Sequence, residues 1–231
     1  RCPFRYFAHK LNQKPTEDDD EGEDLTHRQK GELLHTILFE FYHNRRDQPP
    51  LSASTDAEFE AAVQELQTLA QAHLGRSKRD GLFWEIDVVE TLIGGHGRAG
   101  TLPTFLAEER GRKFDVHPRY FEVQFGHRNM SERVDSILSC AEPIQVGEVP
   151  LSGRVDRVEL GDGFFTVADY KTGSYTPKIR DILEGRSLQL PLYLFAIEQL
   201  LRKHPPRASR GVGGVYYTLR EDCKAELGIG E

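Results

Sequence analysis

The segment from Leu151 to Gly173 reads LSGRVDRVELGDGFFTVADYKTG, and it holds the residue types and spacings best suited to chemistry. Asp162-Gly163 is a two-residue hairpin signal of the type I′ kind, which needs positive φ at both positions. With these two as the loop, Gly161 faces Phe164, paired residue numbers sum to 325, and Asp156 falls directly opposite Asp169. A Gly161-Asp162 loop gives a sum of 323 and leaves the two carboxylates diagonal but near. Like charges opposed across a strand pair destabilise it unless something positive sits between them. Lys171 follows Asp169 by two residues and shares its strand face. Two carboxylates with one ammonium suit a hard divalent ion such as Mg2+ or Mn2+. Such an ion acidifies a water, polarises a phosphoryl oxygen and steadies the leaving oxygen. The lysine can orient the attacking water or stabilise the charged transition state. Together these are the parts of a phosphodiester hydrolysis site. The alternative is a surface hairpin in which Arg154–Asp156 and Asp169–Lys171 are ordinary charged neighbours.

The surrounding pattern supplies elements to hold such a hairpin. Residues 2–14 mix aromatic and basic residues at helical spacing. Thr26 with Gln29 is a capping-box pattern opening a helix to about Asn44, whose apolar stripe is Leu34, Ile37, Leu38 and Phe41. Further helices are expected at 56–74, 82–93 and 103–112. From Tyr120 the period falls to two, with strands expected at 120–125, 151–160, 164–170 and 214–219. A helix over 187–203 must place Pro191 near its first turn or be kinked by it. Helices, then antiparallel strands, then helix and strand read as α/β or α+β around a modest sheet.

Four pieces of this chain resemble motifs of one family in order: Gly31-Glu-Leu-Leu-His35, Gly-Arg-Val-Asp156-Arg, Val-Ala-Asp169-Tyr-Lys171-Thr-Gly and Gln189-Leu-Pro-Leu-Tyr193. The combination is similar to the RecB-family nuclease domain of the PD-(D/E)XK superfamily. The resemblance implies a restriction-endonuclease-like core, a central mixed sheet flanked by helices. It also implies a Mg2+- or Mn2+-dependent deoxyribonuclease, working as an exonuclease in DNA repair or recombination beside a helicase domain or subunit. In that family His35, Asp156, Asp169 and the backbone carbonyl of Tyr170 would hold the metal. Asp156, Asp169 and Lys171 would be catalytic, while Gln189 and Tyr193 would support the site or the DNA strand. The rival readings are a non-catalytic DNA-binding or assembly module that keeps the nuclease fold, and a metal-dependent hydrolase of small phosphoesters, against which the basic flanks and the resemblance count.

The residues can be weighed on their own chemistry. His35 lies at the edge of its helix's apolar stripe, and Gly31 is one turn before it on the same face. A glycine there costs about 1 kcal/mol of helix propensity and permits close approach to a neighbouring backbone. Gln189 and Tyr193 are four apart and share a helix face, which is equally a helix-to-sheet packing pattern. Glu122, on the strand before the hairpin, is either an outer acid of the site or a solvent-facing residue, and is not assigned a catalytic role.

Composition bounds the rest. The 231 residues are 38% hydrophobic with mean hydropathy −0.55, and no apolar stretch is long enough to cross a bilayer. The net charge of −7 belongs to one run: Glu17 to Asp24 holds seven acids, and without it 30 acids face 30 Lys and Arg. Residues 15–25 are therefore expected to form an acidic loop. Basic runs at 43–46, 76–79, 110–113 and 202–210 offer phosphate contacts, although such runs are commonly just solvated. A start at Arg1 reads as a single nuclease domain cut from a longer chain. Cysteines at 2, 140 and 223 are too few for a disulfide framework and point to a reducing, cytoplasmic setting. Cys2-Pro-Phe-Arg-Tyr-Phe resembles the start of the nuclease domain in AddB-type helicase–nuclease subunits, where such a cysteine joins three others around a [4Fe-4S] cluster. Here Glu226 stands where a Cys-x-x-Cys partner of Cys223 would be, so a cluster is not expected.

Overall fold

The computed structural model describes residues 27–76, 89–113 apart from 90, 96 and 98, 115–203 apart from 130, 132 and 174, 210–220 and 224–230. The 2–14 segment, the acidic run 15–25, Cys2, Cys223, positions 82–88 of the expected third helix and the basic stretches 77–79 and 204–209 lie outside the described residues.

Helix α1 (His27–Asn44) forms where the apolar stripe predicts it, and Leu34, Ile37, Leu38 and Phe41 are completely buried. Each such side chain contributes about 1.5–3 kcal/mol by leaving water. Helices α2 (Asp56–Arg76), α3 (Thr91–Ile93) and α4 (Thr101–Arg110) complete one layer. Of the expected 82–93 helix, the described part is Val89 and the single turn α3. The strands follow: β1 (His117–Phe125), a small hairpin of β2 (Ile144–Val146) and β3 (Val149–Leu151), then β4 (Gly153–Leu160) and β5 (Phe164–Lys171). A short helix α5 (Ile179–Leu183) and the amphipathic α6 (Gln189–Lys203) precede β6 (Arg210–Thr218) and β7 (Lys224–Gly230). The β2–β3 hairpin, α5 and β7 are additions to the elements expected from the sequence. Pro191 sits in the first turn of α6, where its missing N–H would have had no intrahelical partner.

Among the described residues the main sheet has five strands in the order β1-β4-β5-β6-β7. Pairing is antiparallel except for β5 with β6, which run parallel across the α6 connection. Two buried layers cover the sheet. One joins α1, α2, α3 and α4 to Phe121, Ala168, Tyr170 and Tyr217, and the other joins α6 to Val123, Val155, Val158, Phe165, Val167 and Tyr216. This is the mixed sheet with helices on both sides that the motif order implied.

The β4–β5 hairpin takes the 325 register, with Arg157 opposite Ala168 and Leu160 opposite Phe165. Its turn is not the expected type I′. Gly163 has φ 79°, but Asp162 does not have positive φ, and type I′ needs both. The register is unaffected, because two loop residues close the ladder between Gly161 and Phe164 with either turn.

Candidate active site

The β4–β5 ladder stops at Arg157–Ala168, one residue short of the two aspartates. Beyond it the Tyr170 N–H donates to Asp156 Oδ2 at 2.8 Å, so a carboxylate fills the gap where a strand carbonyl would have been. In an extended strand the N–H and C=O of one residue leave the same side, so the Tyr170 carbonyl is also turned toward β4. On the other side of Asp156, the β1–β4 register pairs Phe121 with Arg157 and Val123 with Val155, which puts Glu122 directly opposite Asp156. Three carboxylates, Glu122, Asp156 and Asp169, thus line up across three adjacent strands.

Glu122 is the described non-glycine residue with positive φ, at 52°. This conformation is costly for a side chain other than glycine and is often found at functional sites. Its effect is visible in the core. Phe121 packs with the α1 layer while Val123 and Phe125 pack with the α6 layer, so alternation reverses at Glu122. Val155 and Val158, three apart on β4, both pack on the α6 side, and so the same reversal occurs around Asp156. The reversal buries Glu122 to 5% exposure, which excludes the solvent-facing alternative.

His35 reaches this row from α1. Its Nδ1 is 3.3 Å from Glu122 Oε1 and 3.6 Å from Asp156 Oδ1, and its ring meets the Tyr170 ring edge-on with centroids 5.5 Å apart. Gly31 makes that approach possible: a Cβ there would stand 3.0 Å from Thr172 Oγ1, in the Lys-Thr-Gly turn after β5. Lys171 Nζ lies 2.6 Å from Asp169 Oδ2 and donates to Gln189 Oε1 at 2.8 Å. The Gln189 amide nitrogen donates to Asp169 Oδ1 at 2.6 Å and to the Tyr193 hydroxyl at 3.0 Å. Gln189 is the first residue of α6, so one glutamine side chain fixes both the lysine and its acid from the opposite layer.

The electrostatics follow from this crowding. Burial opposes the His35 imidazolium, but Asp156, a hydrogen bond to Glu122 and the charges of Glu122 and Asp169 outweigh it and hold its pKa up at about 9. Burial pushes Asp156 up to about 7; His35 opposes the rise, Asp169 and Glu122 add to it, and the Tyr170 N–H counteracts it. Burial also raises Asp169, against the pull of Lys171.

Carboxylates that surrender protons this reluctantly are short of positive charge. One donor atom each from His35, Glu122 and Asp156 lies within 4.8 Å of the others. Two ligands each about 2.0–2.4 Å from one ion stand roughly 3 Å apart, close to the 3.3 and 3.6 Å separations here. The donor set therefore fits a divalent cation. Glu122, which the sequence left unassigned, belongs to this tight group, whereas Asp169 is the next acid along the row and faces Lys171 and Gln189.

Beside the carboxylate row, under the α1–α4 layer, lies a second network that sequence reasoning missed. Arg157 is fully buried and makes two 2.9 Å contacts to Glu109. It also meets Glu159, and donates to the hydroxyls of Tyr217 at 3.1 Å and Tyr170 at 3.4 Å. Glu159 takes both guanidinium nitrogens of Arg112, at 2.6 and 2.9 Å. Burial works against the Glu159 carboxylate, yet Arg157 and Arg112 hold its pKa well below the usual range. Tyr170 thus ties the two sites together, with its N–H on Asp156 and its hydroxyl on Arg157.

Four arginines of two basic runs are paired with carboxylates. Arg45 pairs with Glu65, Arg46 with the buried Asp135, Arg110 with Asp56 and Arg112 with Glu159.

A family model described as the PD-(D/E)XK nuclease superfamily matches residues 1–229. This chain belongs to that superfamily. Curated relatives are named as the B subunit of an ATP-dependent helicase/deoxyribonuclease. The protein of that name from Caldanaerobacter subterraneus subsp. tengcongensis is 30% identical over 122 residues, 51% of this chain and 10% of its own length. One from Thermoanaerobacter sp. strain X514 is 37% identical over 97 residues, 40% of this chain and 8% of its own. One from Clostridium botulinum strain Hall is 27% identical over 202 residues, 85% of this chain and 16% of its own. The chain spans about a sixth or less of the length of these relatives. Among the described residues no helix is long and apolar enough to cross a membrane.

Proposed function

We propose that this PD-(D/E)XK chain is one nuclease domain that hydrolyses phosphodiester bonds of DNA with Mg2+ or Mn2+. We propose further that it acts as an exonuclease on strands delivered by a helicase domain or subunit, in repair or recombination. The observation that carries the reading is the row of Glu122, Asp156 and Asp169 with His35 at one end and Lys171 at the other. The names of the relatives support the choice of DNA and of a helicase partner.

In this reading His35, Glu122 and Asp156 hold the cation, with Asp169 and the Tyr170 carbonyl beside it. When bound, the ion supplies charge stabilisation at the phosphoryl and leaving oxygens. Asp169 and Gln189 fix the Lys171 ammonium, which orients the attacking water and favours its deprotonation. The water oxygen bonds to phosphorus, the bond from phosphorus to the leaving oxygen breaks, and that oxygen takes up a proton. The diester becomes a monoester and an alcohol. Tyr193 backs Gln189, and the buried Arg157 network holds Tyr170 from behind.

The test is end-labelled single- and double-stranded DNA incubated with Mg2+, Mn2+ or EDTA. Cleavage with either ion, lost in EDTA and in Asp156→Asn, is the expected result. Release of labelled mononucleotides or short oligonucleotides from an end would fit the exonuclease assignment. Intact DNA with both ions would overturn the proposal.

A further inference from the structure

A cleft of about 260 Å3 opens beside the carboxylate row, with His35 and Glu122 in its lining. Phe39 of α1, Arg133 and Arg154 also line it. We propose that this cleft seats the nucleotide on the leaving-group side of the scissile phosphodiester, with Arg133 contacting its phosphate. The inference rests on the nuclease reading for the position of the reaction, and it adds a substrate subsite and its specificity-determining residue.

The wall that carries Arg133 is built rather than loose. It belongs to the loop after β1, and that loop is pinned at two points. Gln124 Oε1 accepts the Ser131 N–H at 3.2 Å. Asp135, completely buried, accepts the N–H groups of Ile137 and Leu138 at 2.9 Å each and pairs with Arg46 at 2.5 Å. The Asp135 N–H reaches the carbonyl of Glu122 at 3.4 Å, which ties the loop to the strained residue of the metal cluster. Arg133 spans from this loop to the hydroxyl of Thr36 on α1.

Two arginines line the cleft, and their partners differ. Arg45, Arg46, Arg110 and Arg112 are each committed to a carboxylate, and Arg154 is held 2.9 Å from Glu122. Arg133 is exposed, and its guanidinium meets a neutral hydroxyl. An exposed guanidinium beside a polar cleft suits a phosphate.

The direction follows from in-line displacement, in which attacking and leaving oxygens lie on opposite sides of phosphorus. Lys171, which orients the water, sits at the Asp169 end of the row. The cleft opens at the Glu122 end. The leaving oxygen and its nucleotide therefore depart toward Arg133.

Two measurements on the whole chain test this, with thermal unfolding of each variant to confirm that the exposed substitution leaves the fold intact. In the first, fluorescein-labelled oligothymidylate is bound in EDTA, followed by anisotropy across a salt series. Arg133→Ala should weaken binding about three- to tenfold at low salt and lower the salt slope by about one phosphate's worth. Arg133→Lys should restore the slope. Unchanged affinity and slope in Arg133→Ala would overturn the proposal. In the second, Mn2+-dependent cleavage is followed on oligonucleotides carrying one neutral methylphosphonate beside the mapped cut. The leaving-side substitution should slow the unaltered chain but not slow Arg133→Ala further, whereas the opposite-side substitution should slow both alike. Equal sensitivity of both proteins to the leaving-side change would overturn the assignment. If no oligonucleotide is cut but the Arg133 binding effect persists, the nuclease reading fails and the cleft stands as a strand-binding site.

Discussion

Divalent-cation binding near neutral pH should release between one and two protons. A metal ligand must be deprotonated, so ion binding competes with protons at each ligand. With its pKa at about 9, the His35 imidazole is almost fully protonated at pH 7 in the metal-free chain. With its pKa at about 7, Asp156 is roughly half protonated there. The two groups touch and titrate as a pair, so the quantity to measure is the total. That total is roughly 1.5 protons at pH 7, which makes the apparent Kd for Mn2+ fall by about 30-fold per pH unit at that point. Between pH 8 and 9 Asp156 is ionised, and the dependence should fall to tenfold per unit or less. Isothermal titration calorimetry in two buffers of different ionisation enthalpy counts the protons directly. His35→Ala should lower the count by less than one, because loss of the imidazolium also lets the Asp156 pKa rise and leaves more proton there to displace. The same shifts set the stability of the metal-free chain. Folded Asp156 keeps a proton that the unfolded chain gives up at its ordinary value of 3.8, so stability falls as pH rises from there through about 7. The His35 contribution is fully present below its ordinary value of 6.5 and is lost as pH rises through about 9. Release of less than about half a proton at pH 7 by the unaltered chain would refute the reasoning, because it would mean that neither group must ionise to hold the ion.

Two further outcomes are expected. Lys171→Ala should cut DNA cleavage by about 10²–10³-fold while leaving Mn2+ affinity within a few fold, since it removes a positioned charge rather than a ligand; near-normal cleavage would take Lys171 out of the mechanism. Arg157→Met should cost about 3–5 kcal/mol in urea unfolding, because Glu109 loses both of its Arg157 contacts and Glu159 keeps Arg112 and the Thr166 hydroxyl but loses one of its two arginines. A loss below about 1 kcal/mol would mean that these charges are not interdependent.

Local chemistry is legible in the amino-acid sequence alone. The Asp162-Gly163 loop sets the hairpin register that leads Asp156 toward Asp169, even though its turn is not of the expected type, because register depends on loop length and not on which turn closes it. The α1 stripe sets which face is buried and so where His35 emerges, and the spacing of Gln189 and Tyr193 puts both on the same side of α6. Each of these follows from periods and turns a few residues long. Glu122 could not be placed that way. Its role depends on its pairing with Asp156 on a strand over 30 positions away and on a backbone reversal that turns β1 over at that residue. The same limit applies to the arginines. A run of basic residues looks identical whether it meets phosphate or a carboxylate from a distant element, and only the packed chain shows Arg46 on Asp135 and Arg112 on Glu159. Arg157 is the sharpest case. Sequence sets it beside Asp156, but only tertiary packing supplies Glu109, from a helix 48 positions earlier, which makes a fully buried cation tolerable.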